Sequence, residues 1–412
     1  MEARHHQVPT DEKALLEELS SAFRAHFGEK AARLFFAPSR INIIGEHIDY
    51  NGGNVFPCAL TIGTYALAAP NEENALRLYS LNLDAENTAT LPLNEEKAPD
   101  DWTGYVLGVF HALEQKGLKP VGLDIAVAGN IPNGSGLSSS ASLELLCGVI
   151  AEALFEKTTD ETLTRLDLVE AGVWCENEYL GVHTGIMDQY VIGFGKAGHA
   201  MRLDTAAKQH EYVPLELEAK GACILVLNTN KRRELKDSKY NERRAECATA
   251  LKELNRLLRE KGEAPREFLC DFSEDELNWL DGLDPVIAKR ARHVITENAR
   301  VQAMIDAFAD SRLEDAGQIL NDGHRSLRDD YEVTGPHLDA IVEAAQSAEG
   351  CYGARMTGAG FGGCAIALVR QDAVDAVIAH IKKIYAEKTD RTAECLISLA
   401  GDGAGERVVA AN

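Results

Sequence analysis

No stretch of the 412-residue sequence reaches the run of about 18 apolar residues that a membrane-spanning helix needs. The opening residues, MEARHHQVPTDEKALLEELSSAF, are polar and then amphipathic, with no apolar stretch that could serve as a secretory signal. Basic residues are few: 42 Lys and Arg stand against 65 Asp and Glu, for a net charge of −23. A chain this acidic repels phosphate backbones and anionic bilayers, so neither nucleic acid nor a membrane is expected as a partner. Cys-x-x-Cys is absent too. The nine cysteines (Cys58, Cys147, Cys175, Cys223, Cys247, Cys270, Cys351, Cys364 and Cys395) lie far apart, several of them inside apolar runs such as LELLCGVI and GGCAIALV. Reduced, buried thiols in a cytoplasmic protein are expected, rather than a disulfide framework or a zinc site.

What is present suffices for a sizeable core, with 45% apolar and 26% charged residues. At about 150 residues per domain the length suggests two or three domains. RLFFAPSRINIIG, NVFPCALTIGTYALAAP and ALRLYSLN read as strands. In VGLDIAVA, Leu123, Ile125 and Val127 share one face, which predicts a half-buried strand. ASLELLCGVIAEALFEK is helical, with Leu146, Val149, Ile150 and Ala153 at helical spacing. Past residue 205 the pattern changes to QHEYVPLEL and GACILVLNTN as strands, followed by long charged helices. The stretch 286–308 carries Ile287, Ala291, Val294, Val301, Ile305 and Phe308 on one stripe. IVEAAQSA and AVDAVIAHIKKIYAEK are helical, and GCAIALVR and AECLISLA are strands. Strands and helices without a βαβ rhythm predict an α+β fold, divided into residues 1–205 and 206–412.

Two glycine-rich segments are candidates for holding an anion. PNGSGLSSSASLE lies between a strand and an amphipathic helix. Gly134 and Gly136 permit backbone that other residues resist, and Ser138, Ser139 and Ser140 bring hydroxyls to the unpaired N–H groups of the first helical turn. Strand, glycine turn and serine-rich helix start together suit a phosphate, and three serines exceed what a helix cap requires. The segment is neither a Walker A loop nor a Gly-x-Ser-x-Gly elbow. In MTGAGFGGCAIALV, Gly358, Gly360 and Gly363 match the dinucleotide fingerprint, but an apolar strand follows where that fingerprint needs a helix. A loop closing on a ligand and a glycine bend before a strand both remain open there.

Glu46, His47 and Asp49 cluster in RINIIGEHIDYNGG, where a strand runs into a turn. Their acceptors and donors suit a neutral polyhydroxylated ligand. A solvated surface turn is the near rival on the bare residues and a metal site the weaker one, since this is not His-Glu-x-x-His and no second histidine lies nearby. Glu176 falls on the apolar helical face of Leu168, Gly172, Cys175 and Tyr179, a costly place for a carboxylate without a basic partner or a cation; beside a phosphate loop, Mg²⁺ is a credible one. Asp188 in GIMDQY is a lone acid in an apolar stretch. KRRELKDSK, residues 231–239, is a basic island that reads as a solvated helix start or as a nucleotide-phosphate attractor.

Taken in order, RINIIGEHIDYNGG, PNGSGLSSSASLE, GIMDQ with NTNKRRELKDSKYNERRAEC, and RMTGAGFGGCAIALV resemble the motifs of the GHMP small-molecule kinases, and within them those of the galactokinase family. The resemblance spans roughly residues 35 to 370. It implies two α+β domains, an N-terminal one with a mixed sheet and a C-terminal one with an antiparallel sheet, and an active site in the cleft between them. It also implies ATP-dependent phosphorylation of the C1 hydroxyl of galactose, and a monomer is expected. By matching positions, Arg40 and Asp188 would be the catalytic pair, and Glu46, His47, Ile48, Asp49, Gly185 and Tyr240 would bind the sugar. Gly134, Ser135, Gly136, Leu137, Ser138, Ser139 and Ser140 would hold the ATP phosphates, Ser80 would make a further ATP contact, and Ser140 and Glu176 would hold Mg²⁺. Related sugars such as N-acetylgalactosamine or arabinose, or a non-catalytic galactose sensor, are the alternatives. One departure is visible: the family signature usually has Gly before the arginine, and here it is Ser39.

Overall fold

Alternation and β-branched content produce strands along the first third of the chain, and the computed structural model confirms them. It describes residues 8–83, 87–93, 95, 99, 101–132, 134–160, 162–231 and 236–408. The strands are β1 (Arg33–Asn42), β2 (Asn54–Val55), β3 (Pro57–Pro70), β4 (Ala75–Ser80), β5 (Thr88–Pro92), β6 (Leu118–Lys119), β7 (Leu123–Gly129) and β8 (Glu156–Lys157). They continue with β9 (His199–Asp204), β10 (Gln209–Pro214), β11 (Ala222–Asn228), β12 (Cys351–Thr357), β13 (Cys364–Arg370), β14 (Glu394–Ser398) and β15 (Gly405–Arg407). A six-stranded sheet has the order β15-β1-β3-β7-β4-β5. All its neighbours are antiparallel except β4 and β7, so the sheet is mixed.

Helices cover both faces of this sheet. On one side α3 (Ser139–Leu154) and α5 (Met187–Phe194) pack against β1 and β3, backed by α2 (Thr103–Glu114) and α4 (Arg165–Trp174). The other side is closed by α1 (Glu12–Phe27), whose start is capped by Asp11 accepting from the Ala14 N–H. Leu15, Leu19 and Phe23 recur every four residues along α1 and bury against Phe36, Tyr65, Ala126 and Ala128. The strand predicted to be half-buried is therefore buried on both faces: Ala126 and Ala128 lie under α1. Asp124, also on that strand and fully buried, is held by Lys30, by Arg77 at 2.6 and 2.7 Å, and by Asn71 at 2.8 Å. Burial opposes its charge, but these donors outweigh burial and hold its carboxyl below the usual range.

The second half builds a four-stranded antiparallel sheet of order β12-β13-β11-β14. Around it lie α6 (Lys236–Glu260), α7 (Pro285–Ala309), α8 (Leu313–Ser326), α9 (Pro336–Gln346) and α10 (Val374–Lys388). Residue 205 falls just after β9, within the β9–β10 hairpin, where the Thr205 hydroxyl donates to the Gly53 carbonyl at 2.8 Å. The chain then crosses to the second sheet through β11. Its tail returns, with Ala400 bridging to Leu60 and β15 pairing with β1. On α7 the apolar stripe is present, but Arg290, His293 and Glu297 are buried among it.

Phe23→Ala removes the largest anchor of α1. It is expected to cost about 3–5 kcal/mol, read as a lowered urea midpoint. A loss below ~1 kcal/mol would show that α1 is not part of the cooperative core.

Candidate active site

β1 carries Arg40 near its buried end, with only 3% of the residue exposed. A guanidinium there requires a partner, and α5 supplies one in its first turn. Arg40 Nε and Nη2 donate to Oδ1 and Oδ2 of Asp188, each at 2.6 Å, a bidentate pair. Burial works against the arginine's charge, but Asp188 outweighs it and the group is held above its ordinary value. Arg40 Nη1 reaches the Gly136 carbonyl at 3.0 Å, which ties the glycine-serine loop to the same point. Ser39 extends this tie, its hydroxyl donating to the Leu137 carbonyl. The serine that departs from the family pattern thus adds a hydrogen bond to the loop and leaves Arg40 paired.

Ser138 opens α3 in a left-handed conformation, φ 59°, and its side chain caps nothing. Its hydroxyl donates to Asp188 instead. Gly134, Gly136, Ser138, Ser139 and Ser140 line a cleft enclosing about 210 Å³, together with Arg40, Glu46, His47, Asp49, Gly185, Asp188 and Tyr240. The first-turn N–H groups of a helix have no intrahelical partner, and this end of α3 opens on the cleft.

Glu176 lies in a π-turn, Cys175–Tyr179, that follows α4, so the regular helical face read from the sequence is interrupted there. It accepts from Ser140 Oγ at 3.0 Å, Thr184 Oγ1 at 2.5 Å and Gln189 Nε2 at 3.0 Å. All three donors are neutral, and among the described residues no Lys or Arg bonds it. Glu144 lies behind, sharing Gln189 at 2.9 Å. Burial and the Glu176 carboxylate hold the Glu144 carboxyl well above the usual range. Two buried acids without a base, beside a serine hydroxyl, are a hard-oxygen donor set that fits Mg²⁺, which prefers one or two protein oxygens and completes its shell with water and phosphate.

The turn after β1 carries the other acids. Glu46 Oε1 accepts from the Gly358 N–H at 2.7 Å, and burial raises its carboxyl against the pull of Arg355 and Arg40. His47 has φ 63°, accepts from or donates to Tyr50 at 2.8 Å, and reaches the Ala359 carbonyl at 3.3 Å. Burial and nearby His293 push its imidazole down to about 3, so it is neutral. Asp49 Oδ2 accepts from the Met187 N–H at 3.4 Å, and burial with the Asp188 charge pushes its carboxyl up to about 6. Gly185 is required here, because a Cβ on it would lie 1.8 Å from Asp49 Oδ2.

Four of the expected ligand residues are not among those lining the cleft. Ile48 is fully buried with its side chain in the core, Ser135 and Leu137 are buried beneath the loop, and Ser80 is buried at the end of β4 beside Val127. Of the basic island, residues 232–235 and the side chains of 236–238 lie outside the described residues, while the Lys239 ammonium sits 5.7 Å from the Phe361 ring centre. Sequence reasoning missed the support behind the turn. Glu297 on α7 accepts from the Gly45 and Glu46 N–H groups at 2.9 and 3.2 Å, His293 Nε2 bonds the Glu46 carbonyl at 3.0 Å, and Arg355 on β12 donates to the Ile43 carbonyl at 2.9 Å. Burial opposes the Glu297 charge, but Arg355 and Arg300 outweigh it and hold its carboxyl at about 2. The only signal in the sequence was polar residues inside an apolar stripe.

Three family models match the chain: the galactokinase galactose-binding signature over residues 21–70, the GHMP kinases N terminal domain over 104–196 and the GHMP kinases C terminal domain over 304–387. The galactokinase of Exiguobacterium sibiricum is 45% identical over 393 residues, covering 95% of this chain and 98% of the relative. That of Streptococcus suis is 48% identical over 377 residues, covering 90% and 93%. The crystal structure of Lactococcus lactis galactokinase complexed with galactose superposes with a TM-score of 0.89 at 42% identity, covering 95% of this chain and all of that one. Mevalonate kinase of Methanococcus jannaschii, at TM-score 0.63 and 19% identity, shares the fold alone. A mixed sheet, an antiparallel sheet and a serine-rich loop at a helix start thus define a GHMP kinase. At 45% identity over nearly its whole length, the chain belongs to the galactokinase family.

Asp49 gives a pH test. The unfolded chain releases this proton near 3.8, whereas the folded protein keeps it to about 6. The folded form binds more protons between those values, so Asp49 lowers stability as pH rises through that window. Asp49→Asn is expected to stabilise the ligand-free protein by ~1–2 kcal/mol at pH 7, less than the full shift implies because Asp49 is only partly buried. The gain should vanish near pH 4 in urea titrations. An equal gain at both pH values would show that charge is not the cause.

Proposed function

We propose that the protein transfers the terminal phosphoryl group of ATP to the C1 hydroxyl of galactose through the Arg40–Asp188 pair. The single observation that carries this reading is the position of that pair: it is bonded to the Gly134–Ser140 loop and lines one cleft with Glu46, His47 and Asp49. The Lactococcus lactis relative crystallised with galactose supports the choice of sugar.

Phosphoryl transfer asks for positioning and charge stabilisation rather than covalent chemistry. Glu46 and Asp49 accept sugar hydroxyls, and His47, neutral and fixed, shapes the same wall. Asp188 takes or orients the proton of the attacking hydroxyl, while Arg40 favours the oxyanion that develops. The loop from Gly134 to Ser140 offers backbone N–H groups to phosphate oxygens at a positive helix end. Ser140 and Glu176 would hold Mg²⁺, which, when bound, supplies charge neutralisation between phosphates. All nine cysteines are unpaired, which supports a cytoplasmic enzyme.

A coupled ADP-release assay with galactose, N-acetylgalactosamine, glucose and arabinose tests the reading. Galactose should give the highest kcat/KM, and galactose binding without ADP release would make the protein a sensor. Asp188→Asn is expected to lower kcat on the order of 10³-fold, about 4 kcal/mol of barrier; near-normal turnover would remove Asp188 from its role. Glu46→Gln should raise the galactose KM roughly 10-fold or more, the effect of one charge-assisted hydrogen bond, and leave the ATP KM within about two-fold. Equal changes in both constants would reject the assignment.

A further inference from the structure

A line of four hydrogen-bonding side chains ends on His47 and is not accounted for by the reaction just described. Cys247 on α6 lies 3.1 Å from the Tyr331 hydroxyl, Tyr331 lies 2.8 Å from the Tyr50 hydroxyl, and Tyr50 lies 2.8 Å from His47 Nδ1. The other ring nitrogen, Nε2, faces the carbonyl of Ala359 at 3.3 Å. Tyr331 and Cys247 are buried and come from parts of the chain about 200 and more residues beyond the turn.

The direction of every proton along this line follows from its last member. A carbonyl only accepts, so Nε2 must carry the hydrogen, and a neutral imidazole then presents Nδ1 as a bare acceptor. Tyr50 therefore donates to Nδ1, Tyr331 donates to Tyr50, and the Cys247 thiol donates to Tyr331. Each link has one proton and uses it. The rings are packed as well: His47 lies 4.9 Å from the Tyr331 ring and 5.6 Å from that of Tyr240, and Tyr50 lies 5.4 Å from Tyr240.

The Ala359 carbonyl belongs to the second glycine-rich loop, and that loop is attached to the Glu46–His47 turn at two points, here and through the Gly358 N–H on Glu46. One clamp donates to the loop and the other accepts from it. If His47 turned to the Nδ1–H tautomer, Nε2 and the carbonyl would be two acceptors facing each other, and the loop would be released on one side.

We propose that Tyr50, Tyr331 and Cys247 are positioning residues whose hydrogen-bond line fixes His47 as its Nε2–H tautomer, so that His47 clamps Ala359 and holds this glycine loop against one wall of the cleft. That the clamped wall faces the sugar rests on the function proposed above; the tautomer does not. The line also explains why three hydroxyl and thiol groups are assembled in a buried place where phenylalanine and alanine would pack as well.

Tyr50→Phe removes only a hydroxyl and keeps the ring. Long-range ¹H–¹⁵N spectra of the full chain, with His47 assigned by His47→Gln, should show a protonated Nε2 and a hydrogen-bonded, unprotonated Nδ1. In Tyr50→Phe the Nδ1 signal should move toward that of an unbonded nitrogen, and the Nδ1–H tautomer should become populated. Tyr331→Phe should move it in the same direction by less. The galactose KM should rise roughly 5- to 10-fold in Tyr50→Phe with kcat and the ATP KM within about two-fold. Cys247→Ser, which keeps a donor, should match the parent protein, and Cys247→Ala should resemble Tyr331→Phe. Unchanged His47 nitrogen signals in Tyr50→Phe would overturn the proposal, as would a parallel rise in both KM values. A protein with the predicted nitrogen shifts but no galactose phosphorylation would instead overturn the function and leave the tautomer assignment standing.

Discussion

Arg40 carries a positive charge on a strand whose surroundings exclude water, and a buried charge is tolerable only when something of opposite sign meets it. Asp188 meets it with both oxygens. Because Arg40 is on β1 and Asp188 is on α5, this pair sets how the helix sits on the sheet. Because a third guanidinium nitrogen bonds Gly136, it also sets the height of the loop that opens α3. Ser39, one residue earlier, holds the next carbonyl of that loop, and Ser142 returns a hydrogen bond to Ala37 on the same strand at 2.8 Å. Three positions of β1 thus hold the start of α3. Asp188 and the Gly134–Ser140 loop are placed by one strand, and an error in one would displace the other.

The remaining charges divide by purpose. At one end of the cleft, Glu176 accepts only from neutral donors, with Glu144 behind it sharing Gln189, an arrangement that a cation would complete. At the other end, Glu46 is fully accounted for from behind, with Glu297 taking the turn's N–H groups and Arg355 beside both acids, 3.9 Å from Glu46 and 3.4 Å from Glu297. The turn itself holds His47 in a left-handed conformation, and Ser138 across the cleft is held in another. Strained backbone of this kind persists only where its surroundings over-determine it. Here those surroundings are the buried carboxylate of α7 on one side and the Arg40–Asp188 pair on the other.

The excess of acid over base does not conflict with binding a polyphosphate. Net charge governs the long-range field, which salt screens beyond a Debye length of about 8–10 Å. A helix end acts at contact distance through N–H groups that need no countercharge. The serine-rich start of α3 supplies attraction locally that the chain as a whole lacks.

Much of this was legible in order along the chain. Glycine spacing marked the loops, alternation marked β7, apolar runs marked β1, β3 and β13, and the apolar stretch after Gly363 excluded a nucleotide-binding helix. Glu176 and Asp188 were visible as acids in apolar stretches and Glu46 and Asp49 as a polar cluster on a turn, whereas Arg40 entered only through the family resemblance. Folding decided the rest. Ile48 and Ser80 read like their neighbours in the sequence, but packing buries both away from the cleft lining. Ala126 and Ala128 gained a covering helix from over a hundred residues earlier, and Glu297, His293 and Arg355 came from the far half to support a turn near residue 46. Periodicity and turn chemistry act between residues a few positions apart, so they can be read locally. Which buried charge meets which partner depends on elements brought together across hundreds of residues, and only the packed structure fixes that pairing.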